Sequence, residues 1–198
     1  MPKEKICHGV ILAGGRSQRF GSDKALALFE GRPFVSRAVD LVRSVGLAAC
    51  VITEQHKDYS FLDCPIYFDR QSFRGPLAGL ERAFEVFPDE AILVLTCDMP
   101  FLVKEDLERL LTHEQEGFDA VLYRLEDDRF QPFPGIYDYS LKNVICLHDE
   151  KANSMQFFIK KIERVLEVKV ATPQDHFRNI NRSIAISSKY DSTHILTQ

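Results

Sequence analysis

The chain has 198 residues, of which 45% are hydrophobic and 27% charged, a composition typical of a globular protein with an ordinary core. Acidic residues outnumber basic ones by 29 to 25, so the molecule lacks the overall positive charge with which proteins hold a nucleic-acid backbone. These values exclude nucleic-acid packaging as a main role, and the length favours a single domain over residues 1–198.

The apolar segments are short, and the cysteines are scattered. Residues 91–95 are of strand length, well below the roughly 20 residues that cross a bilayer. The run at residues 10–13, which follows Lys3 and Lys5, is too short for a signal peptide. The five cysteines form no C-x-x-C pair, which favours reduced, mostly buried thiols over a zinc site or a disulfide framework. We therefore expect a cytoplasmic protein with no membrane partner.

The first half of the chain alternates apolar runs of strand length with segments whose apolar residues recur at helical spacing. The predicted strands are residues 9–13, 48–52, 65–68 and 91–96. The predicted helices are residues 35–45, with Pro33 in the first turn, 75–87 and 106–113. This alternation indicates βαβ units and a mainly parallel sheet.

The second half shows the same kinds of pattern less clearly. Residues 118–123 resemble a strand, residues 135–137 lie in another, and residues 165–170 alternate as a half-buried strand does. Apolar residues recur at helical spacing between Ser154 and Val165. No linker, repeat or low-complexity segment divides the chain. We therefore expect a single α/β domain of Rossmann-like, three-layer type with a mainly parallel, mixed sheet.

The segment from Leu12 to Lys24 carries the clearest chemical signal. It begins where the first strand ends, which is the edge at which open α/β sheets bind ligands. Its glycines let backbone N–H groups approach an anion, and Arg16, Arg19 and Lys24 bring three positive charges. The segment fits neither a Walker A loop nor a dinucleotide fingerprint. The residues alone therefore leave two alternatives, a phosphate-binding loop and a strand-to-loop turn with solvated basic residues.

Two aspartates follow predicted strands at the same edge. Asp98, in Thr96-Cys-Asp-Met-Pro100, comes directly after the most hydrophobic strand, and Asp69 follows the third. A carboxylate in this position suits Mg²⁺, which binds through one or two carboxylates and substrate phosphates. Taken singly, Asp98 fits an N-cap or a turn equally well, and Asp69 fits a turn better. Together with the basic loop, they favour nucleotide chemistry at one edge of the sheet.

Residues 10–24 closely resemble the signature LAGGxSxRMGxDK of the nucleotidyltransferase superfamily typified by molybdenum cofactor guanylyltransferase, with Phe20 in place of Met. The likeness covers residues 9 to about 110. Its further segments are Gly31-Arg-Pro33, Asp69, Gly75-Pro-Leu-Ala-Gly79 and Cys97-Asp-Met-Pro100, with fainter matches at Gln131-Pro132 and Asn153-Ser-Met-Gln156. The resemblance implies a fold like that of the nucleotide-diphospho-sugar transferases.

The resemblance also implies how the chain would bind a nucleotide. Leu12, Ala13 and Gly14 would meet it through their backbone, and Asp69 would contact the GTP. The similar cytidylyltransferases tend to carry a second Ala in place of the second Gly of the loop and to lack the Gly-Pro-Leu-Ala-Gly segment. The Gly14-Gly15 pair and residues 75–79 therefore resemble the guanine-using branch.

The implied reaction is transfer of GMP from GTP to molybdopterin bearing molybdenum, with release of pyrophosphate. Lys24 would contact the phosphates, Arg19 would share their charge, and Asp98 would hold Mg²⁺ against them. Residues 1–110 would bind the nucleotide, and residues 111–198 would bind the acceptor. Proteins that deliver or accept the cofactor are possible partners of a monomer or weak homo-oligomer. The six histidines are scattered and fit structural or surface positions.

The chain departs from the family pattern in two places. Thr53 stands where many relatives have Asn, and the C-terminal family pattern is represented only by Asn179 and Asn181. These two asparagines fit a role in binding substrate or metal and a loop role about equally. The alternatives to a guanylyltransferase are a cytidylyltransferase, another nucleotidyltransferase of the superfamily, or a non-catalytic protein that binds GTP and pterin.

Overall fold

A seven-stranded sheet forms the centre of the computed structural model, which describes residues 6–14, 23–54, 57–69, 75–113, 117–146, 154–171 and 173–180. The strands in chain order are β1 (His8–Leu12), β2 (Leu28–Phe29), β3 (Arg32–Pro33), β4 (Ala48–Thr53), β5 (Ile66–Phe68), β6 (Ile92–Thr96), β7 (Ala120–Arg124), β8 (Phe130–Tyr137) and β9 (Val165–Lys169). Strands β2 and β3 form a separate hairpin, and the others form the sheet in the order β5-β4-β1-β6-β8-β7-β9.

Most neighbouring strands of the sheet are parallel. Strands β5, β4, β1 and β6 run in one direction, β8 is antiparallel to both β6 and β7, and β9 is parallel to β7. Each of the seven predicted strands is present, and the mainly parallel, mixed sheet is confirmed. The β2–β3 hairpin was not predicted, because strands of two residues are too short to show a period.

Five α-helices connect these strands in the described part of the chain: α1 (Phe34–Ser44), α2 (Pro76–Val86), α3 (Lys104–Leu111), α4 (Lys142–Cys146) and α5 (Met155–Ile159). The three predicted helices of the first half are confirmed. Pro33 lies one residue before α1 rather than in its first turn, because its extended backbone pairs with Leu28 in the hairpin. The predicted helix of residues 154–165 was too long. It ends at Ile159, and Val165 already pairs with β7.

Helices α1 and α2 lie on opposite faces of the sheet. Gly9 and Leu12 point to opposite faces of β1, because side chains alternate along a strand. A Cβ atom at Gly9 would overlap Val42 of α1, whereas a Cβ atom at Gly79 of α2 would lie 2.8 Å from Cδ2 of Leu12. Each helix therefore packs directly on β1, one from either side. The predicted three-layer α/β architecture is confirmed.

The strand order reverses between β1 and β6. From β1 the chain passes through α1 to β4 and β5 on one side, and α2 then returns it to β6 on the other side. Such a reversal opens a crevice at the carboxyl ends of the two strands, where open α/β sheets bind ligands. Gly14 follows β1 and Asp98 follows β6, so both border this crevice.

One hydrophobic core extends through the described residues from Ile6 to Ile180. Its centre consists of strand residues with no exposed surface, such as Val10, Ile11 and Val94. None of the helices in the described part of the chain has the length and apolar character needed to cross a bilayer.

The four cysteines whose side chains the structure describes form no disulfide with one another. Cys50 and Cys97 are buried, Cys64 is half-buried, and Cys7 is exposed. The expectation of mostly buried thiols therefore holds for two of these four, because Cys7 and Cys64 lie just outside the ends of strands rather than within them.

Candidate active site

Lys24 and Asp98 meet at the carboxyl edge of the sheet. Lys24 begins a short 3₁₀ turn, Lys24–Leu26, after the glycine-rich segment, and Asp98 lies in the turn that follows β6. Nζ of Lys24 donates a hydrogen bond to Oδ2 of Asp98 at 2.8 Å, and the two side chains are 16% and 18% exposed. The fold thus joins two residues in a mostly buried ion pair. For Lys24 the resemblance implies contact with the phosphates, and for Asp98 it implies a bond to the Mg²⁺ held against them.

The backbone around Asp98 is bonded from two directions. The N–H of Cys97 donates to the carbonyl oxygen of Leu12 at 3.2 Å, and the N–H of Ile180 donates to the carbonyl oxygen of Asp98 at 3.0 Å. The carboxylate oxygen Oδ1 of Asp98 is buried and accepts no hydrogen bond from the described residues. A buried carboxylate oxygen without a partner is unfavourable unless a ligand satisfies it.

This unsatisfied oxygen fits a bound Mg²⁺. The described residues contain no group of three or more His, Cys, Asp or Glu side chains arranged to hold a metal. Mg²⁺ does not require such a group, because it keeps several waters and commonly binds through one or two carboxylates and substrate phosphates. Asp98 could therefore supply the protein ligand, and a triphosphate and water could supply the remainder.

Asp23 links the start of the 3₁₀ turn to a neighbouring loop. Its Oδ2 accepts hydrogen bonds from the hydroxyl of Tyr59 at 2.8 Å and from Nζ of Lys57 at 2.9 Å, while its Oδ1 accepts from the N–H of Ala25 at 3.2 Å. Burial and the contact with Asp23 raise the pKa of Tyr59. These bonds hold Lys24 in place. The sequence prediction missed Tyr59 and Lys57, because only their contact with Asp23 marks them.

Gly14, Glu54 and Asp69 form the opposite side of the site, at the ends of β1, β4 and β5. A Cβ atom at Gly14 would lie 3.7 Å from Oδ2 of Asp69 and 3.8 Å from Cγ of Glu54. Burial and, secondly, the charge of Glu54 raise the pKa of Asp69 to about 6, although Arg82 acts in the opposite direction. The other oxygen of Asp69, Oδ1, is buried and has no hydrogen-bond partner among the described residues. The side chains of Asp69 and Glu54 thus both lie beside Gly14.

The ends of β1 and β4 are tied together by hydrogen bonds that involve Ala13. Its N–H donates to the carbonyl oxygen of Ile52 at 2.9 Å, and its own carbonyl oxygen accepts from Oγ1 of Thr53 at 3.4 Å. Leu12 is buried against Gly79. The structure therefore places Leu12, Ala13 and Gly14 at the crevice, with the backbone groups of Ala13 already bonded within the sheet.

Thr53 is a structural residue. It is the last residue of β4 and has no exposed surface. Glu54 is the residue that follows the strand, and it lies beside Asp69 and Gly14. The side chain available at this point of the site is thus the carboxylate of Glu54.

Several predicted residues lie elsewhere or outside the described part of the chain. Arg16, Arg19 and Asn181 are outside the described residues, so their roles stay predictions. Asn179 is exposed and directly precedes Ile180, which is bonded to Asp98. Cys97, beside Asp98, is buried, and burial raises the pKa of its thiol, so it does not supply a thiolate nucleophile.

Residues of the faint family matches in the second half bond to the backbone of β8. Nε2 of Gln156 donates to the carbonyl oxygen of Phe130 at 2.8 Å, and Nε2 of Gln131 donates to that of Phe133 at 2.6 Å. Both glutamines thus support the backbone of β8, and Gln156 ties α5 to it. These contacts assign them a structural role in the described part of the chain.

Comparison with known proteins identifies the family. Residues 9–165 match the MobA-like NTP transferase domain. The chain belongs to this family. The match includes Gly14, Lys24, Asp69 and Asp98, which lie at the carboxyl edge of the sheet. Family membership establishes the chain as a nucleotidyltransferase by descent, and it confirms the resemblance found in the sequence.

Similar proteins carry consistent names. A protein of Geobacillus sp. (strain WCH70), named "Probable molybdenum cofactor guanylyltransferase", is 34% identical over 189 residues, which is 87% of this chain and 92% of the relative. One from Carboxydothermus hydrogenoformans with the same name is 33% identical, over 70% of this chain and 68% of its own. The crystal structure of molybdopterin-guanine dinucleotide biosynthesis protein A from Archaeoglobus fulgidus has the same fold, with a TM-score of 0.74, 20% identity and coverage of 90% and 94%.

Proposed function

We propose that this protein transfers GMP from GTP to the terminal phosphate of molybdenum-bearing molybdopterin and releases pyrophosphate, in a reaction that requires Mg²⁺. The observation that carries the proposal is the Lys24–Asp98 pair at the strand-order reversal, with an unsatisfied, buried oxygen on Asp98. The names of the relatives support the guanylyl donor and the pterin acceptor.

The proposed step is an in-line displacement at the α-phosphorus of GTP. An oxygen of the acceptor phosphate forms the new P–O bond, and the bond to the β-phosphate breaks with its electron pair leaving on pyrophosphate. Such a reaction needs positioning and charge neutralisation rather than a covalent nucleophile. Lys24 would donate to phosphate oxygens, and Arg19 would share this charge. Mg²⁺ held by Asp98 would neutralise phosphate oxygens and favour departure of pyrophosphate.

The carboxylates at the β4 and β5 ends support guanine as the base. Glu54 and Asp69 lie across β1 from Lys24, and their negative charges would repel phosphates, so the nucleoside end of GTP would lie against them. Guanine presents two N–H donors side by side, N1–H and the 2-amino group, which a carboxylate accepts. Cytosine presents acceptors at the corresponding positions. Asp69 would thus contact GTP as the resemblance implies, with Glu54 beside it.

The two halves of the chain would bind different substrates. Residues 1–110 would bind the nucleotide, and residues 111–198 would bind the acceptor, which the position of Asn179 next to the Asp98 turn supports. The protein would work in the cytoplasm as a monomer or weak homo-oligomer. It would receive or deliver the pterin through partner proteins.

A pyrophosphate-release assay tests the proposal. Purified protein is incubated with Mg²⁺ and each of the four nucleoside triphosphates, with and without molybdopterin supplied on a carrier protein. We expect release with GTP that depends on the pterin. Preference for CTP would identify a cytidylyltransferase instead, and GTP binding without any release in the presence of active pterin would identify a non-catalytic binding protein.

The Asp98→Asn variant tests the site itself. Loss of one charge-stabilising group from an active site lowers rates by roughly 10²–10³-fold, and we expect a fall of that order. Asp89→Asn is a matched control, because Asp89 is exposed and lies before the amino end of β6, at the opposite edge of the sheet. Its positive φ of 64° is one that asparagine also adopts. Full Mg²⁺-dependent activity of Asp98→Asn would remove Asp98 from its proposed role.

A further inference from the structure

The segment of residues 173–180 packs against the part of the chain that carries Asp98. It contains a short 3₁₀ turn, Gln174–Phe177, and ends at Ile180, which is 4% exposed. The N–H of Ile180 donates to the carbonyl oxygen of Asp98 at 3.0 Å. The segment is far from Asp98 in sequence, so this contact exists only in the folded protein.

Two residues anchor the segment to α3 and β7. Nδ1 of His176 lies 3.1 Å from Oδ2 of Asp106, a carboxylate that is 1% exposed and that also accepts from the N–H of Val103 at 2.9 Å. The ring of Phe177 packs against that of Tyr123, with 4.8 Å between centroids. An ion-pair or hydrogen-bond contact and a buried aromatic contact thus hold the segment before it reaches Ile180.

A third contact reaches the loop between Asp98 and α3. The guanidinium of Arg178 lies over the ring of Phe101, 5.1 Å from its centroid. Asp98 itself lies beyond the end of β6 at Thr96, so it makes no pairing contact in the strand ladder. The bond from Cys97 to Leu12 holds one side of this turn, and the bond from Ile180 holds the other.

We propose that Ile180 is a positioning residue. Through its N–H, and through the anchors at His176 and Phe177, the segment of residues 173–180 holds the Asp98 turn so that the carboxylate faces the cation and the phosphates. This inference rests on the proposed function, because it concerns how the Asp98 carboxylate is oriented for Mg²⁺. A displacement of about 1 Å in a catalytic constellation can lower a rate about 10²-fold, so a support of this kind affects catalysis without touching substrate.

Comparing Ile180→Pro with Ile180→Val tests the inference. Proline removes the N–H that bonds to Asp98, whereas valine keeps it and deletes one methylene group. The first readout is Mn²⁺ binding in the presence of GTP, measured from the EPR signal of free Mn²⁺. The second is the Mg²⁺ concentration that gives half-maximal pyrophosphate release. We expect Ile180→Pro to weaken Mn²⁺ binding about 10-fold and to lower kcat by a similar or larger factor, within the range that misplacement produces.

A second pair of variants keeps the test informative if Ile180→Pro does not fold. His176→Ala removes the contact with Asp106 and should weaken Mn²⁺ binding in the same direction, by a smaller factor. His113→Ala is its control, because His113 lies just beyond α3 and its Nδ1 bonds locally, to the carbonyl oxygen of Arg109. Val42→Ala serves as a destabilised control, since Val42 of α1 is fully buried against Gly9, near the amino end of β1.

The outcomes separate the inference from the proposed function. Wild-type Mn²⁺ affinity in Ile180→Pro, or in His176→Ala where the proline variant does not fold, would overturn the inference alone. The same loss of affinity in Val42→Ala would also overturn it, because the effect would then follow from lowered stability. A wild-type protein that neither binds Mn²⁺ with GTP nor releases pyrophosphate would contradict the proposed function and, with it, the inference.

Discussion

Asp69 and Asp98 occupy equivalent places, each just beyond a parallel strand, yet their surroundings differ in charge. Asp98 lies 2.8 Å from the ammonium group of Lys24. Asp69 lies beside Glu54, and burial together with that negative charge raises its pKa to about 6. Environment of this kind assigns different roles to chemically identical groups. The Lys24–Asp98 pair suits a cation bound to phosphates, whereas Asp69 suits the part of a nucleotide that donates N–H or O–H groups.

The raised pKa of Asp69 predicts how Asp69→Asn changes stability with pH. An aspartate whose pKa is higher in the folded than in the unfolded state binds its proton more tightly when folded. Its ionisation therefore destabilises the fold as pH rises from about 4 to about 6, and the effect is complete above that range. Asparagine cannot ionise, so we expect Asp69→Asn to be more stable than the wild type at pH 8, by about 1 kcal/mol because solvent screens part of the repulsion.

Thermal or urea unfolding at pH 8 and at pH 4.5 measures this difference. The stability gain of Asp69→Asn over the wild type should shrink as the pH falls, because Asp69 in the folded wild type is then protonated. Asp89→Asn, at an exposed position, corrects for the general effect of removing one negative charge. A gain that is equal at both pH values would show that Asp69 titrates normally.

At the scale of elements, the apolar pattern predicted the strands well because the sheet is central and its strands are buried. Residues 9–13, which include most of β1, form an unbroken apolar run, and Val10 and Ile11 have no exposed surface. The ends of elements were less predictable, as α5 shows. Helical spacing continues to the buried Ile162, but the chain has already turned at Lys160 towards β9. Pairing with β7 overrides the local pattern, and such pairing is not encoded in local spacing.

The contact between β1 and α1 depends on the absence of a side chain at Gly9. A Cβ atom there would overlap Val42, and an overpacked core costs about 1–3 kcal/mol. We expect Gly9→Ala to destabilise the protein by that amount in urea unfolding. Val42→Ala should relieve the overlap, so the double variant Gly9→Ala with Val42→Ala should lose less stability than the two single variants together, by about 0.5–3 kcal/mol.

A second double variant provides the control for this cycle. Val35 is also a fully buried valine of α1, seven residues before Val42, so about 10 Å along the helix axis. Gly9→Ala and Val35→Ala should therefore be additive within about 0.5 kcal/mol. Equal coupling of Gly9 with both valines would mean that the helix shifts as a whole, and that Gly9 does not meet Val42 specifically.

At the scale of the whole molecule, the residues that the sequence singled out share one property: each lies on a short segment with a recognisable pattern. Lys24 belongs to the glycine-rich segment, and Asp98 follows an obvious strand. Tyr59, Glu54 and Ile180 had no such signal, because their contacts with Asp23, Asp69 and Asp98 arise only when distant segments meet. Local sequence thus predicted Lys24, Asp69 and Asp98, whereas Glu54 and the supporting residues required the fold.

The overall charge is −4, but charges at the crevice are arranged locally. Lys24 pairs there with Asp98, which keeps an unsatisfied buried oxygen. Binding of a metal–nucleotide complex at this point should therefore stabilise the whole fold. A ligand present at 100 times its dissociation constant adds about 2.7 kcal/mol, which for a chain of this size corresponds to a rise in Tm of about 5–10 °C. We expect this rise with GTP and Mg²⁺ together, and a smaller one with CTP.

Comparing Tm with GTP alone and with GTP plus Mg²⁺ separates the role of Asp98 from that of Glu54 and Asp69. Asp98→Asn should lose the additional rise in Tm that Mg²⁺ provides, because it lacks the carboxylate that would hold the cation. It should retain the rise that GTP gives alone, since Glu54, Asp69 and Gly14 are unchanged, and Asp89→Asn should behave as the wild type. If Asp98→Asn instead lost the response to GTP and kept the response to Mg²⁺, Asp98 would act on the nucleotide directly and the cation would be held elsewhere.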